Sequence, residues 1–345
     1  MENVILIGVA MVILGAVLGG TFALPSKYGK DYPWEMLWGS FFLFATLILP
    51  LVLTGFWSKQ IFSTWHQATW AELLPPIFFG ILWGFGSFVS GLAFATAGLS
   101  LAYAITMGMQ TIFGSTVPLI FGGSNNLSVR VIAIVLSGIL VCLIGVLLTG
   151  YSGILKDRKL NQKRTDELNN NKSKVRRGVV LAIFGGILAA CLNYSFSFGQ
   201  PVLDIAKGQF NGDASKATLA VWILALVGGS ISSLGYCIYL LIKNRQISQT
   251  NKFPLKKLFL LAFIMAVLHD GAIFFYGLGS DLLGKLGPTI GFAIFASGMM
   301  LVGNLNGFFT KEWTGAGINV KGLLFTGLGL IVSGILILAY SNSLR

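Results

Sequence analysis

The stretch "LFLLAFIMAVLHDGAIFFYGL", residues 258–278, sets 19 aliphatic, aromatic or small residues around one ionisable pair, His269-Asp270. As a helix it is about 30 Å long, which matches the hydrocarbon core of a bilayer. A surface helix of a globular protein is apolar along one stripe only, whereas this stretch is apolar all round. It reads as a transmembrane helix with two polar groups near its middle.

The rest of the chain extends that reading. Of its 345 residues 55% are hydrophobic and only 10% are charged, against roughly 25% charged in a soluble domain. Mean hydropathy is +0.80. Ten segments qualify as spans: Val4–Leu24, Met36–Phe56, Leu74–Thr96, Ser100–Phe121, Val129–Tyr151, Val179–Phe198, Leu219–Ile242, Leu258–Leu278, Pro288–Phe309 and Gly322–Tyr340. A β-barrel would need alternating strands of about ten residues with a polar lumen face, and these runs are too long and too evenly apolar. The 44 glycines suit helices that approach closely in lipid. The first segment has Glu2 where a signal peptide has a positive region, and its apolar run is longer than such peptides carry, so it is expected to be a span. Cys142, Cys191 and Cys237 fall inside segments without metal-ligand spacing. They are expected to be buried thiols, with no metal.

Net charge is +12, and the basic residues sit in the connections. That distribution points to a membrane surface and away from nucleic acid. The connection "SGILKDRKLNQKRTDELNNNKSKVRRG", residues 152–178, holds nine Lys/Arg; the odd-numbered connections together hold 18 and the even-numbered ones five. Positive loops stay in the cytoplasm. The expected protein is therefore multi-pass in the cell (inner) membrane, with the odd connections inside and both termini outside. Five segments precede the basic connection and five follow. The expected organisation is a first five-helix repeat (1–151), a basic cytoplasmic linker (152–178), flexible around Asn169–Asn171, and a second five-helix repeat (179–345). An odd number of spans per half inverts one half relative to the other. "GAVLGGTFALP" (15–25) and "GILAACLNYSF" (186–196) share a small-residue pattern. Gly91 and Gly98 match the spacing of Gly277 and Gly284. Aligning those pairs sets Trp83-Gly84 opposite His269-Asp270.

Several strings resemble the L-rhamnose–proton symporter family of the drug/metabolite transporter superfamily: "YPWEMLW" (32–38), "LLPPIFFGILWGFG" (73–86), "GLAFATAGLSLAYAITMGMQTIFGSTVPLIFGG" (91–123) and "KEWTGAG" (311–317). The last is the most specific, and the resemblance covers nearly the whole chain. It implies an all-α membrane protein of ten helices in two inverted repeats, and sugar uptake driven by a proton gradient. It also implies a central cavity lined by segments 1, 3, 4, 6, 8 and 9, with no soluble domain and no cofactor. One departure stands out: the family pattern has an aromatic-rich string with a glutamine before its "FFYxxG", while this chain has "HDGA" (269–272) before "FFYGLG" (274–279).

Candidate site residues follow. A carboxylate at a helix centre costs about 2.5–3.5 kcal/mol on insertion scales, so Asp270 is expected to face a partner or a cavity and to exchange protons; the competing reading is a carboxylate nearer an interface that is simply solvated. His269 points about 100° round the helix from Asp270, so the two need not share a proton. It is a candidate relay, a donor to a sugar hydroxyl, or a structural histidine bonded to a neighbouring helix. Glu35, beside Lys27 and Lys30, is a third coupling candidate or a helix-start carboxylate; Glu72 reads as the latter. A sugar needs several hydrogen-bonding groups and an apolar face. Gln110, Thr111, Asn193, Tyr194, Asn304 and Asn306 supply the first, and Trp83 and Tyr276 the second. The competing role is interhelical glue, at about 0.6 kcal/mol per contact. Lys311-Glu312-Trp313 is expected to tether a loop. There is no H-E-x-x-H, G-x-S-x-G or P-loop, so an enzyme is not expected. The expected function is proton-coupled import of a small sugar, L-rhamnose or a related monosaccharide. The alternative is proton-antiport export of metabolites or drugs on the same fold.

Overall fold

The computed structural model describes residues 2–122, 128–160, 172–246 and 253–344. Among the described residues there is no strand, and ten helical spans are long and apolar enough to cross a membrane. They are span 1 (Asn3–Gly29), span 2 (Trp34–Phe56), span 3 (Trp70–Ala97), span 4 (Leu99–Phe121), span 5 (Val129–Leu160), span 6 (Ser173–Phe198), span 7 (Ala214–Lys243), span 8 (Leu255–Leu282), span 9 (Gly284–Phe309) and span 10 (Ile318–Ser341).

Several spans run past the ends predicted from hydropathy. Span 5 continues to Leu160 and the helix of span 6 begins at Lys172, so both ends of the predicted linker are helical. Lysine and arginine are good helix formers and their stems lie along apolar surface; hydropathy falls there while helix propensity does not. Residues 161–171, with Asn169–Asn171, lie outside the described residues. Two short helices in connections, Ser58–Gln67 and Gln200–Gln209, were not anticipated. Local chemistry explains the helix starts. Thr69 and Glu72 form a capping box at span 3, with the Thr69 N–H donating to Glu72 Oε2 at 2.7 Å. Asp213 caps span 7, and its carboxyl is held down at about 2 by hydrogen bonds from Lys216 and Ser215. Within span 2 the backbone widens into a π-turn over Leu43–Ile48, just before Pro50, which has no N–H to give the preceding turn.

Spans 3 and 6, 1 and 8, 5 and 10, and 3 and 7 form the most extensive helix pairs; span 4 packs on span 6 and span 9 on span 1. Small residues allow these approaches. At "GILWG" (80–84) span 3 lies against span 7 so closely that a Cβ on Gly80 would sit 2.1 Å from the Ala225 carbonyl oxygen.

The connections gather on two faces. On the odd face, Lys27 Nζ lies 2.6 Å from Glu312 Oε1, Ser100 Oγ 2.6 Å from Asp157 Oδ2, and the Lys156 ammonium 4.7 Å over the buried Trp313 ring. Glu312 and Trp313 thus do tie connections together. On the even face, Lys207 pairs with Asp281 at 2.5 Å, and the two short connecting helices pack on each other.

Candidate functional site

The core between the faces is uneven. Toward the even face, five aromatic rings from four spans close it: Phe196 stacks on Trp222 at 5.0 Å, and Tyr276 lies 4.8 Å from Phe295 and 5.8 Å from Phe292. All five are buried. Residues 286–298 of span 9 are buried without a break, while 301–306, nearer the odd face, are only half-buried. His269 and Asp270 lie at the border, one to two turns below the Tyr276 ring on span 8.

His269 Nδ1 and Asp270 Oδ1 are 2.9 Å apart. Neighbouring helix positions diverge by about 100° at Cβ, but rotation about χ1 brings these two short side chains together. The two side chains thus stand within hydrogen-bond distance although their Cβ atoms diverge. Asp270 Oδ2 is buried and has no hydrogen-bond partner among the described residues. Three rings surround the imidazole. Trp83 is stacked at 5.7 Å and 24°, Phe22 lies at 5.4 Å, and Phe41 stands edge-on at 5.4 Å and 89°. Trp83 and His269, which the glycine alignment sets at matching positions of the two halves, are thus in ring contact. Phe22 and Phe41 come from spans 1 and 2, and their sequence neighbourhoods, "GTFAL" and "SFFLF", look like any lipid-facing run.

The uncharged candidates divide. Asn193 is fully buried; its Nδ2 donates to the Gly114 and Pro288 carbonyls at 2.7 and 2.8 Å, and its Oδ1 accepts from the Tyr276 hydroxyl. The Tyr194 hydroxyl donates to the Phe113 carbonyl at 2.7 Å. These three residues lash spans 4, 6, 8 and 9 together beside the ring cluster, so their polar atoms are spent on helix packing in this conformation. Thr111 is buried and bonds back to Met107 O at 2.8 Å. Asn304 donates to Met300 O at 2.8 Å, and its side-chain oxygen has no hydrogen-bond partner among the described residues. Gln110 is half-buried and makes no side-chain hydrogen bond among the described residues. Asn306 reaches span 1, at Gly20 O and Thr21 Oγ1.

Glu35 is buried at the odd-face end of span 2. Its Oε1 accepts from Asn244 Nδ2 at 2.7 Å. Of its two expected lysine neighbours, Lys27 pairs instead with Glu312. The three cysteines are free and buried, and no group of three His, Cys, Asp or Glu side chains able to hold a metal occurs among the described residues.

The comparisons with known proteins agree along the whole chain. The L-rhamnose-proton symporter of Escherichia coli O1:K1 / APEC is 28% identical over 339 residues, covering 96% of this chain and 96% of the relative. The L-rhamnose-proton symporter of Shigella dysenteriae serotype 1 (strain Sd197) matches to the same extent. The family model described as L-rhamnose-proton symport protein (RhaT) matches residues 1–342, and the chain accordingly belongs to that family.

Proposed function

We propose that this chain is a secondary transporter that imports L-rhamnose or a closely related monosaccharide together with protons. The observation that carries the reading is the family match over residues 1–342, with symporters of that sugar similar along 96% of both chains. Asp270, hydrogen-bonded to His269 within span 8, is the coupling group, and Glu35 is the second candidate. Gln110 and Asn304 are the polar groups left for a sugar, and the His269-Asp270 pair is left for the proton. Asn193, Tyr194, Tyr276 and Thr111 shape the path by holding its walls. The test is uptake of labelled L-rhamnose into proteoliposomes under an imposed gradient, acidic outside. Uphill accumulation that collapses with an uncoupler is expected; accumulation indifferent to the gradient would rule the reading out.

The reading includes two inverted five-helix repeats, 1–151 and 179–345, joined by the basic linker, as in the drug/metabolite transporter superfamily. The packing pattern supports it. Exchanging the halves turns the pair of spans 3 and 6 into spans 8 and 1, spans 4 and 6 into spans 9 and 1, and spans 7 and 3 into spans 2 and 8, and leaves spans 5 and 10 paired. Such repeats place substrate and ion sites near the midplane at their interface, where the His269-Asp270 pair is expected to lie.

The odd face is proposed to be cytoplasmic and both termini external, on the strength of 18 basic residues against five. With Cys142, Cys191 and Cys237 replaced, a membrane-impermeant maleimide applied to whole cells is expected to label a cysteine at Lys285 and spare one at Ser173. The reverse pattern would invert the orientation.

A further inference from the structure

His269 is pinned. Trp83 covers one ring face, Phe22 and Phe41 close in from spans 1 and 2, and Nδ1 is bonded to Asp270. The indole is itself wedged: it is buried, and a Cβ on Gly229 of span 7 would come within 2.8 Å of its six-membered ring. An imidazole so enclosed cannot swing round, and its two nitrogens keep different surroundings. Nδ1 faces the carboxylate. Nε2 has no hydrogen-bond partner among the described residues. Among the described residues the carboxylate in turn has no hydrogen bond other than the one to this ring, because Oδ2 is buried and unpartnered.

We infer that His269 is the proton relay into Asp270, and that Trp83 is the positioning residue that keeps the relay in register. Trp83 is then no platform for the sugar ring, since His269 and Gly229 already occupy its surroundings. This deepens, and rests on, the proton-coupled reading above. In the forward step a proton binds Nε2 as the Nδ1 proton passes to Asp270 Oδ1. One proton enters, one is delivered, and the ring is left neutral with its hydrogen on Nε2. Release runs the same transfers backwards. Little else faces the pair with charge. Span 1 carries no ionisable residue between Asn3 and Ser26, span 3 none beyond Glu72, and span 9 none between Gly287 and Thr310. Span 2 brings Glu35, already bonded to Asn244, and span 7 brings the Cys237 thiol and the Tyr236 phenol close to Glu35.

The chain has two histidines, and His66 is exposed on the short helix Ser58–Gln67. His66→Asn therefore leaves His269 as the sole histidine signal in a nitrogen-15 and carbon-13 histidine-labelled protein in nanodiscs. The ring protons are expected upfield because of the indole. Asp270→Asn is expected to change the tautomer read from the nitrogen shifts. Trp83→Leu should abolish the upfield shift and cut gradient-driven sugar accumulation roughly tenfold, a cost in keeping with a misplaced transfer group. Gradient-free exchange should stay within about threefold, since binding groups are untouched. Trp83→Phe, which keeps an aromatic face, should restore most of the coupling. If Trp83→Leu does not reconstitute, Gly229→Ala, which displaces the indole, serves the same comparison. A tautomer indifferent to Asp270→Asn, or full coupling in Trp83→Leu or His269→Gln, would overturn the inference. A parent that accumulates no L-rhamnose would instead sink the choice of cargo, and the NMR arm would still decide the relay.

Discussion

Proteoliposomes carrying the Asp270→Asn protein are expected to reach only about the external concentration of labelled L-rhamnose under a pH gradient that the parent uses to concentrate it. Each pH unit is worth about 1.4 kcal/mol, a factor of ten, so one proton per sugar across about two units supports up to roughly 100-fold accumulation. The amide retains hydrogen-bonding capacity toward His269 but cannot carry a proton. Coupling should therefore vanish, while exchange of labelled for unlabelled sugar survives within about threefold. The variant also removes a carboxylate whose insertion costs about 2.5–3.5 kcal/mol, so its melting temperature should hold or rise, which separates lost coupling from lost structure. Accumulation at the parental level would remove Asp270 from the mechanism and pass the role to Glu35, whose oxygen is bonded to Asn244 at 2.7 Å.

Gly80→Val is expected to damage the fold itself. A Cβ at Gly80 would meet the Ala225 carbonyl oxygen at 2.1 Å, and one at Gly84, a turn away, would meet Ser232 Oγ at 2.1 Å and Gly229 O at 2.5 Å. The obstacle is largely backbone on span 7, which cannot rotate aside as a side chain would. Small residues four apart let two membrane helices come this close, and the attraction between them is mostly van der Waals contact. Overpacking costs about 1–3 kcal/mol where a core can adjust, and a clash with backbone lies at the upper end. A fall in melting temperature in detergent of roughly 5–10 °C is expected, with transport lost in parallel, because Trp83 sits between these two glycines. Gly329→Val is the control: it lies on the exposed side of span 10, where an added Cβ meets nothing within 4 Å. Its melting temperature should move by less than about 2 °C. Equal effects at the two positions would mean that the contact of spans 3 and 7 is not tight in the membrane.

Much of this protein was legible in one dimension. Hydropathy counts residues in sequence, and crossing a bilayer is a one-dimensional requirement of length and apolarity. All ten spans were therefore found, with errors at ends such as Lys172 and Leu160, where charged residues go on forming helix. The cost of burying Asp270 likewise follows from its neighbours in sequence. What surrounds it does not. That Phe22 and Phe41 join Trp83 around His269, or that Lys27 chooses Glu312 over nearby Glu35, depends on which helix faces lie together. Asn193, Tyr194 and Tyr276 show the same limit, because a polar residue inside a span looks alike whether it meets a ligand or a carbonyl. Only the packing of spans 4, 6, 8 and 9 assigned the Asn193 and Tyr194 donors to helix carbonyls and the Tyr276 hydroxyl to Asn193. The sequence by itself determined the solvent, the number of crossings and the position of the one expensive carboxylate, because each follows from transfer free energy summed along the chain. The tertiary structure alone decided the partners, since hydrogen bonds and ring contacts act over a few ångströms between residues that can be more than two hundred positions apart.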